Sequence, residues 1–454
     1  MRRLLFAGAV CTLLYPANAS VLADGPNYTI KNLGTIAGAV PHVTGINSSG
    51  AVSGWYTIPN VGDRAARYTE GIGWTQIPGL ESLTSYALGI NEHGDVVGYA
   101  FLANGDLRAF RYTDAGGVEF VAPLTGGTFT IAMGISNTGE ITGYSSTATA
   151  MLAFRQSPGL LPQPIDPFGG TFSGGCGIND SGQVAGIGLT STGLQHGFRE
   201  NIDGTVAEMA GLNGASSSNS ACAIDNTGAV TGQADAGNGV QHAFLYSGGS
   251  LMDLDAFGSP SSNGTAISGG VVAGSYTLTD GFSTRAFKYS AATGSVDLNT
   301  LLSPGSGWVL SSSTGVKSKG AIVGQGRVNG IEAAWELTPA PDTVPPTITS
   351  LSVTPTTIRP DHHMAPVTVA VTAIDNVDPQ PVCSIASISS PEAAAGDMSI
   401  TGPFTAALLG EKDSQGTTRV YTLTVSCTDA SQNASTGQVT VQVPAGNSAA
   451  AKAK

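Results

Sequence analysis

The chain has 454 residues, enough for two to four domains of roughly 100–200 residues each. Its 19 Lys and Arg against 32 Asp and Glu give a net charge of −13. That is the wrong sign for nucleic acid, where basic side chains must release counterions, and for attraction to anionic lipid. Only 11% of residues are charged while Gly numbers 62, a balance that points to short strands and frequent turns rather than helices.

In chain order, the first element is a targeting segment. Arg2 and Arg3 form a positive start, and Leu4 to Tyr15 is an apolar run, too short for the ~20 residues a bilayer span needs. Ala17-Asn18-Ala19 is an A-x-A site, so residues 1–19 read as a secretory signal peptide cleaved after Ala19. The expected location is secreted, periplasmic or at the cell surface, with no membrane span. Lipid attachment through Cys11 is the alternative, and the bulky Val10 before it argues against it. Cleavage leaves Cys176, Cys222, Cys383 and Cys427, an even number in an exported chain, as disulfides require.

A repeat follows. Gly45-Ile46-Asn47, Gly89-Ile90-Asn91, Gly134-Ile135-Ser136, Gly177-Ile178-Asn179, Ala223-Ile224-Asp225, Ala266-Ile267-Ser268 and Gly315-Val316-Lys317 recur at spacings of 44, 45, 43, 46, 43 and 49 residues. Each is followed by a turn glycine and then by Val-x-Gly or a close variant. About twenty residues on comes a second element of the form x-Ala-Phe-x-Tyr, such as Arg108 to Tyr112 and His242 to Tyr246. In six units a further apolar run follows, for example Val118 to Leu124, Leu251 to Phe257 and Val296 to Leu301. The pattern is strand, glycine hairpin turn, strand, aromatic strand, outer strand: one β-propeller blade per ~44 residues. Small residues on the first strand suit the crowded axis. The seventh unit runs into Thr338-Pro339-Ala340-Pro341 and lacks its outer strand, whereas Tyr28 to Leu33 is a spare outer strand at the other end. Their pairing closes a seven-bladed ring over residues 28–337 and removes an exposed edge.

Residues 338–346 form a Pro-rich linker. Beyond it Ile348 to Val353, Val367 to Ala373, Val420 to Cys427 and Gln438 to Val443 alternate apolar and polar residues, as half-buried strands of a sandwich do. Cys383 and Cys427 enclose a loop of about 44 residues, and bridging it contributes roughly 4 kcal/mol in the chain-entropy model. The Ala-, Lys- and Ser-rich residues 445–454 read as a disordered tail.

The repeated Gly-Ile-Asn-x-x-Gly-x-Val-x-Gly with the following His/Arg-Ala-Phe-x-Tyr resembles the HAF-repeat family of bacterial exported proteins. His196 and His242 keep that family's His; Arg64, Arg108 and Arg285 replace it elsewhere, and Gly197 replaces Ala. The resemblance implies fold and export but no chemistry. Residues 343–444 resemble a bacterial immunoglobulin-like domain through Pro345-Pro346, Pro366-Val367-Thr368-Val369, Asp375-Asn376-Val377-Asp378-Pro379 with Cys383, and Arg419-Val420-Tyr421-Thr422 with Cys427-Thr428-Asp429-Ala430. The expected architecture is therefore all-β: a seven-bladed β-propeller followed by an immunoglobulin-like β-sandwich at residues 347–444.

The chain carries no nucleophile elbow, His-Glu-x-x-His or phosphate-binding Gly-x-x-x-x-Gly-Lys, so no catalytic residue, metal site or cofactor is assigned. His196 and His242 read as structural and His362-His363 as an exposed loop pair. Asp375 and Asp378 suit Ca²⁺ or, more simply, an Asx turn. Glu92, Asp180 and Asp225 fall near the axial turns, where hairpin capping accounts for them without glycoside chemistry. Aromatics expected on one face, Trp55, Tyr99, Phe129, Tyr144, Phe172 and Trp308, are the candidate ligand-binding residues. The expected function is a non-enzymatic exported binding or scaffold protein whose propeller face holds a glycan or protein ligand. The alternative is an extracellular glycan-active hydrolase or lyase. Cys176 and Cys222 should lie at equal depth on neighbouring inner strands, as buried free thiols or as a bridge clamping two blades.

Overall fold

A computed structural model describes residues 28–445 except 210, 215, 238, 256, 318, 319, 379, 392, 393 and 395. The signal segment 1–19 and most of the C-terminal tail lie outside the described residues. The chain divides into two compact units between Ala340 and Pro341.

The first unit is all-β and propeller-like. Each of the first six sequence repeats folds into four antiparallel strands in chain order, as in His42–Ile46, Val52–Ile58, Gly62–Thr69 and Gly73–Gln76. The innermost strands His42–Ile46, Ser85–Ile90, Thr130–Ile135, Gly169–Ile178, Asn219–Ile224, Ser262–Ser268 and Trp308–Val316 all line one channel. Tyr28–Asn32 pairs antiparallel with Ile331–Pro339, with Ile30 opposite Leu337 and Asn32 opposite Trp335. The last sheet thus takes its outer strand from the start of the chain, and the backbone amide of Leu33 donates to Ala334 O.

The repeat signature has a common cause. Every innermost strand shifts register at its centre, between Ala87 and Gly89 or Ala132 and Gly134 for example. The shift is a β-bulge that pushes a carbonyl towards the second strand. The glycine of Val-x-Gly faces that carbonyl: a Cβ on Gly143 would lie 1.9 Å from Ile131 O. On its other side the same glycine pairs with the aromatic of the third strand. Gly98 is opposite Phe110, Gly143 opposite Phe154 and Gly324 opposite Trp335, and these rings are fully buried. Only a residue without a side chain fits between bulge and ring. The first unit has Ala66 in place of the Phe, opposite Gly54. There Trp74 of the outer strand supplies the ring, 3.2 Å from where a Gly54 Cβ would sit.

Neighbouring sheets are stitched by polar side chains. Thr130 Oγ1 accepts from Ala109 N and donates to Val121 O; Ser173 Oγ does the same with Ala153 N and Ile165 O. Where Asn219 replaces the hydroxyl, its longer side chain accepts from Gly197 N and donates to Met209 O. A Cβ at Gly197 would then lie 2.5 Å from Asn219 Oδ1, which explains why Gly stands here for the usual Ala.

The outer strands are shorter than the apolar runs suggest: Gly117–Val121, Ser250–Asp253 and Gly294–Asp297. Past them Leu124, Leu254 and Leu298 leave the ladder and are buried in the core, so the runs mark burial rather than strand length.

The second unit is a two-sheet sandwich. One sheet orders Thr347–Thr354, Met364–Ile374, Thr405–Leu409 and Met398–Gly402; the other orders Val382–Ser389, Arg419–Thr428 and Ala434–Val443. Val367, Val369, Ile385, Leu408, Tyr421, Leu423 and Val425 form the core between them. Cys383 and Cys427 form a disulfide. They are direct partners on neighbouring strands of one sheet, so the bridge staples that sheet rather than joining the two.

Replacing Gly143 by Ala is expected to destabilise the first unit by about 1–3 kcal/mol, the usual cost of overpacking a filled core. Gly105→Ala, at a turn with open space around it, should cost less despite its positive φ. Thermal or denaturant unfolding of both variants checks the order.

Candidate functional site

The two ends of the channel differ in chemistry. At one end lie the hairpin turns of the repeat Asn. Asn91 Oδ1 accepts from Asp95 N within its own turn, while its Nδ2 donates to Ser136 O of the next unit. Asn47 and Asn179 repeat this, with Nδ2 donating to Asn91 O and Asp225 O. The carboxylates near the axis are occupied in the same way. Glu92 Oε2 accepts from Ser48 N; Asp180 accepts from Asn137 N and the Asn226 amide; Asp225 Oδ2 accepts from Gly270 N. These groups cap turns and join units.

The other end carries the aromatics. Trp55, Tyr99 and Tyr144 each follow the invariant glycine of the second strand, so the repeat itself places them at one register. His42 stacks on Trp55 with ring centroids 3.9 Å apart. Trp55 meets Tyr86 edge-on at 5.1 Å, across the first and second sheets, and Tyr86 stacks on Tyr99 at 4.8 Å. Phe129 meets Tyr144 edge-on at 6.4 Å. Burial, then the neighbouring Tyr144 and Asp63, raises the pKa of Tyr99. Burial, then the Asp63 carboxylate that accepts its hydroxyl, raises that of Tyr86. These phenols stay neutral across the physiological range.

The arc ends in a cavity of about 500 Å³. Phe129, Tyr144, Phe172, Met133, Met151 and Cys176 are among its walls, with Ile131, Ile187 and Leu107. A single parallel bridge, Met151 to Phe172, holds the long strand Gly169–Ile178 against the preceding sheet and seats Phe172 over the opening. Met133 and Cys176 also line the axial channel, which holds about 430 Å³, so the cavity adjoins the channel mouth.

Of the six aromatics expected to bind, Trp55 and Tyr99 therefore lie along the arc and Phe129, Tyr144 and Phe172 converge on the cavity. Trp308 stands apart. It packs on the Leu298, Leu310 and Trp335 cluster and lines a separate cavity with Arg285 and Asn299. Met133, Met151, Ile131 and Ile187 escaped the sequence reading because each looks like ordinary strand core; only the register shared with Phe129 and Tyr144 marks them.

The remaining candidates have structural partners. His196 Nδ1 pairs with Glu208, and His242 Nδ1 lies 2.9 Å from Asp253 Oδ2. His362 and His363 are exposed, with His363 Nδ1 2.7 Å from Asp361 O. Asp375 Oδ1 accepts from Val377 N and Asp378 N, an Asx turn. Cys176 and Cys222 occupy matching positions on adjacent channel strands and are free thiols.

No protein-family model matches the chain, and neither does any curated protein sequence. Solved structures align with parts of the chain at low identity. TolB from Acinetobacter baumannii aligns at 12% identity and a TM-score of 0.34, over 46% of this chain and 52% of that one. The β-propeller domain of the trilobed protease from Pyrococcus furiosus aligns at 10% identity and 0.41, over 65% and 95%. The fucose-specific lectin from Aleuria aurantia aligns at 13% and 0.33, over 57% and 95%. The chain thus spans about half the length of TolB.

Burial, reinforced by the neighbouring Cys222, pushes the Cys176 thiol up to about 12, and burial raises Cys222 as well. A thiol needs its thiolate to react. Protein lacking Cys11 is expected to show negligible labelling by a thiol reagent at about pH 8. Denaturation without reductant should then release two thiols, and a count of zero would mean they are bridged.

Proposed function

We propose that this chain is an exported, non-enzymatic binding protein: a seven-bladed propeller of the HAF-repeat type followed by an immunoglobulin-like spacer domain. Its ligand site is the aromatic arc and the cavity where the arc ends. The observation that carries this reading is the convergence of Phe129, Tyr144 and Phe172 on one apolar opening beside the channel mouth. The repeat supplies the scaffold, and the departures from it, confined to consecutive units, supply recognition. Flat, rigid rings suit the apolar face of a sugar or an apolar side chain of a protein, at low entropic cost. The walls of the cavity are apolar and carry no carboxylate, which favours binding over glycoside hydrolysis, where two carboxyl groups must flank the bond. The net charge of −13 disfavours polyanionic ligands. Secretion rests on the layout of residues 1–19.

The test is a glycan and protein array on the protein without its signal segment, followed by titration of the best hit. Phe172→Ala and Tyr144→Ala are each expected to weaken binding about tenfold or more, the scale of an interface anchor residue. Trp308→Ala should lower the melting temperature and leave affinity unchanged. Equal affinity in all three folded variants would place the binding surface elsewhere.

A further inference from the structure

The second unit contains a group of acidic residues that the ligand site does not use. Asp342, Asp375 and Asp429 come from the start of that unit and from two turns far apart in sequence, yet they each bring a carboxylate oxygen within 4.8 Å of the others. Asp429 is 3% exposed. Each carboxylate is held by neutral donors. Asp342 Oδ1 accepts from Val344 N, Asp375 Oδ1 from Val377 N and Asp378 N, and Asp429 from the backbone and side-chain amides of Asn433. The same Asn433 Nδ2 donates to Asp342 O.

A second observation points to what the group holds. Asp342 Oδ2 and Asp375 Oδ2 are both buried from solvent and have no hydrogen-bond partner. A buried, unpaired carboxylate oxygen is costly, and two of them beside a third carboxylate also repel. Asp342 and Asp375 each spend one oxygen on their own turn and leave the other for a shared centre, while both oxygens of Asp429 accept from Asn433. Oxygens bound to one Ca²⁺ at ~2.4 Å lie at most ~4.8 Å apart, and the three carboxylates each bring an oxygen within that span of the others.

We propose that Asp342, Asp375 and Asp429 form a Ca²⁺ site. The ion takes the two unpartnered Oδ2 atoms and an oxygen of Asp429, with water completing the six to eight oxygens that Ca²⁺ prefers. It neutralises the three carboxylates and ties the first residues of the unit to the turns at 375–378 and 429–433. Asp378, the neighbour that a sequence reading couples with Asp375, is not a ligand: its Oδ2 accepts from Ala430 N and its Oδ1 from Gln380 N.

Calorimetric titration of CaCl₂ into chelator-treated full-length protein tests this. Half-saturation is expected at ~10⁻⁴–10⁻³ M, as for extracellular calcium modules, with a rise in melting temperature that equimolar Mg²⁺ does not reproduce. Asp375→Asn keeps the Oδ1 that caps the turn, so the fold should survive. It should weaken Ca²⁺ at least about tenfold, as loss of a charged ligand does, and in chelator it should melt at or above the native protein, because a repelling charge is gone. Asp378→Asn should bind Ca²⁺ like the native protein. The proposal fails if folded native protein shows no heat or melting shift at 10 mM Ca²⁺, if Mg²⁺ acts equally, or if Asp375→Asn binds unchanged.

Discussion

A bulge at the centre of each innermost strand is the constraint on which the ring depends. It turns a carbonyl towards the second strand, where a Cβ would come within about 2 Å of it, as at Gly98 and Gly143. The glycine forced by the bulge opens space for one large ring from the third strand, Phe110 or Phe154 for example. That ring becomes the core of its sheet. The third strand then presents a small residue, Ala109 or Ala153, whose amide is taken by a hydroxyl from the next unit. Bulge, glycine, ring and inter-sheet hydrogen bond are thus links of one chain of causes, repeated around the axis.

This explains which parts were legible in the sequence. The glycines, the aromatic element and the Asn turns recur, so periodicity exposed the four-strand unit, and the spare Tyr28–Leu33 segment revealed how the last sheet is completed. Local exceptions were visible but not interpretable. Gly197 stands out from the repeat in sequence, but only the structure shows Asn219 beside it, and only the structure shows Trp74 filling the place of the ring that Ala66 lacks. The outer strands were overestimated because Leu124, Leu254 and Leu298 look like strand residues but are anchors beyond the ladder. In the second unit the spacing of Cys383 and Cys427 suggested a bridge but not that both lie in one sheet. The acidic cluster is half legible: Asp375 is a candidate in sequence, but Asp342 lies in the Pro-rich linker segment and Asp429 far beyond both, and only folding brings them together.

The candidate binding site is where the repeat stops being regular. The register after the invariant glycine holds Trp55, Tyr99 and Tyr144 in successive early units and Ile187, Gln233, Ser275 and Gln325 in later ones. The asymmetry converts a symmetric scaffold into a surface with one aromatic side. Trp308, an aromatic at an equivalent inner-strand end, is drawn into the core by Leu298 and Leu310. At the opposite end of the channel the carboxylates of Glu92, Asp180 and Asp225 accept from backbone amides of adjacent units.

The central claim is that the ring is one cooperative structure completed by its own N-terminal strand. Native-state hydrogen exchange of the amides in Tyr28–Asn32, compared with those of the Ile331–Pro339 strand it pairs with, tests this directly. If the account holds, both strands exchange only through global opening of the first unit, with the same free energy and the same denaturant dependence. Exchange of Tyr28–Asn32 at a free energy well below that of its partner would show a frayed edge and contradict it.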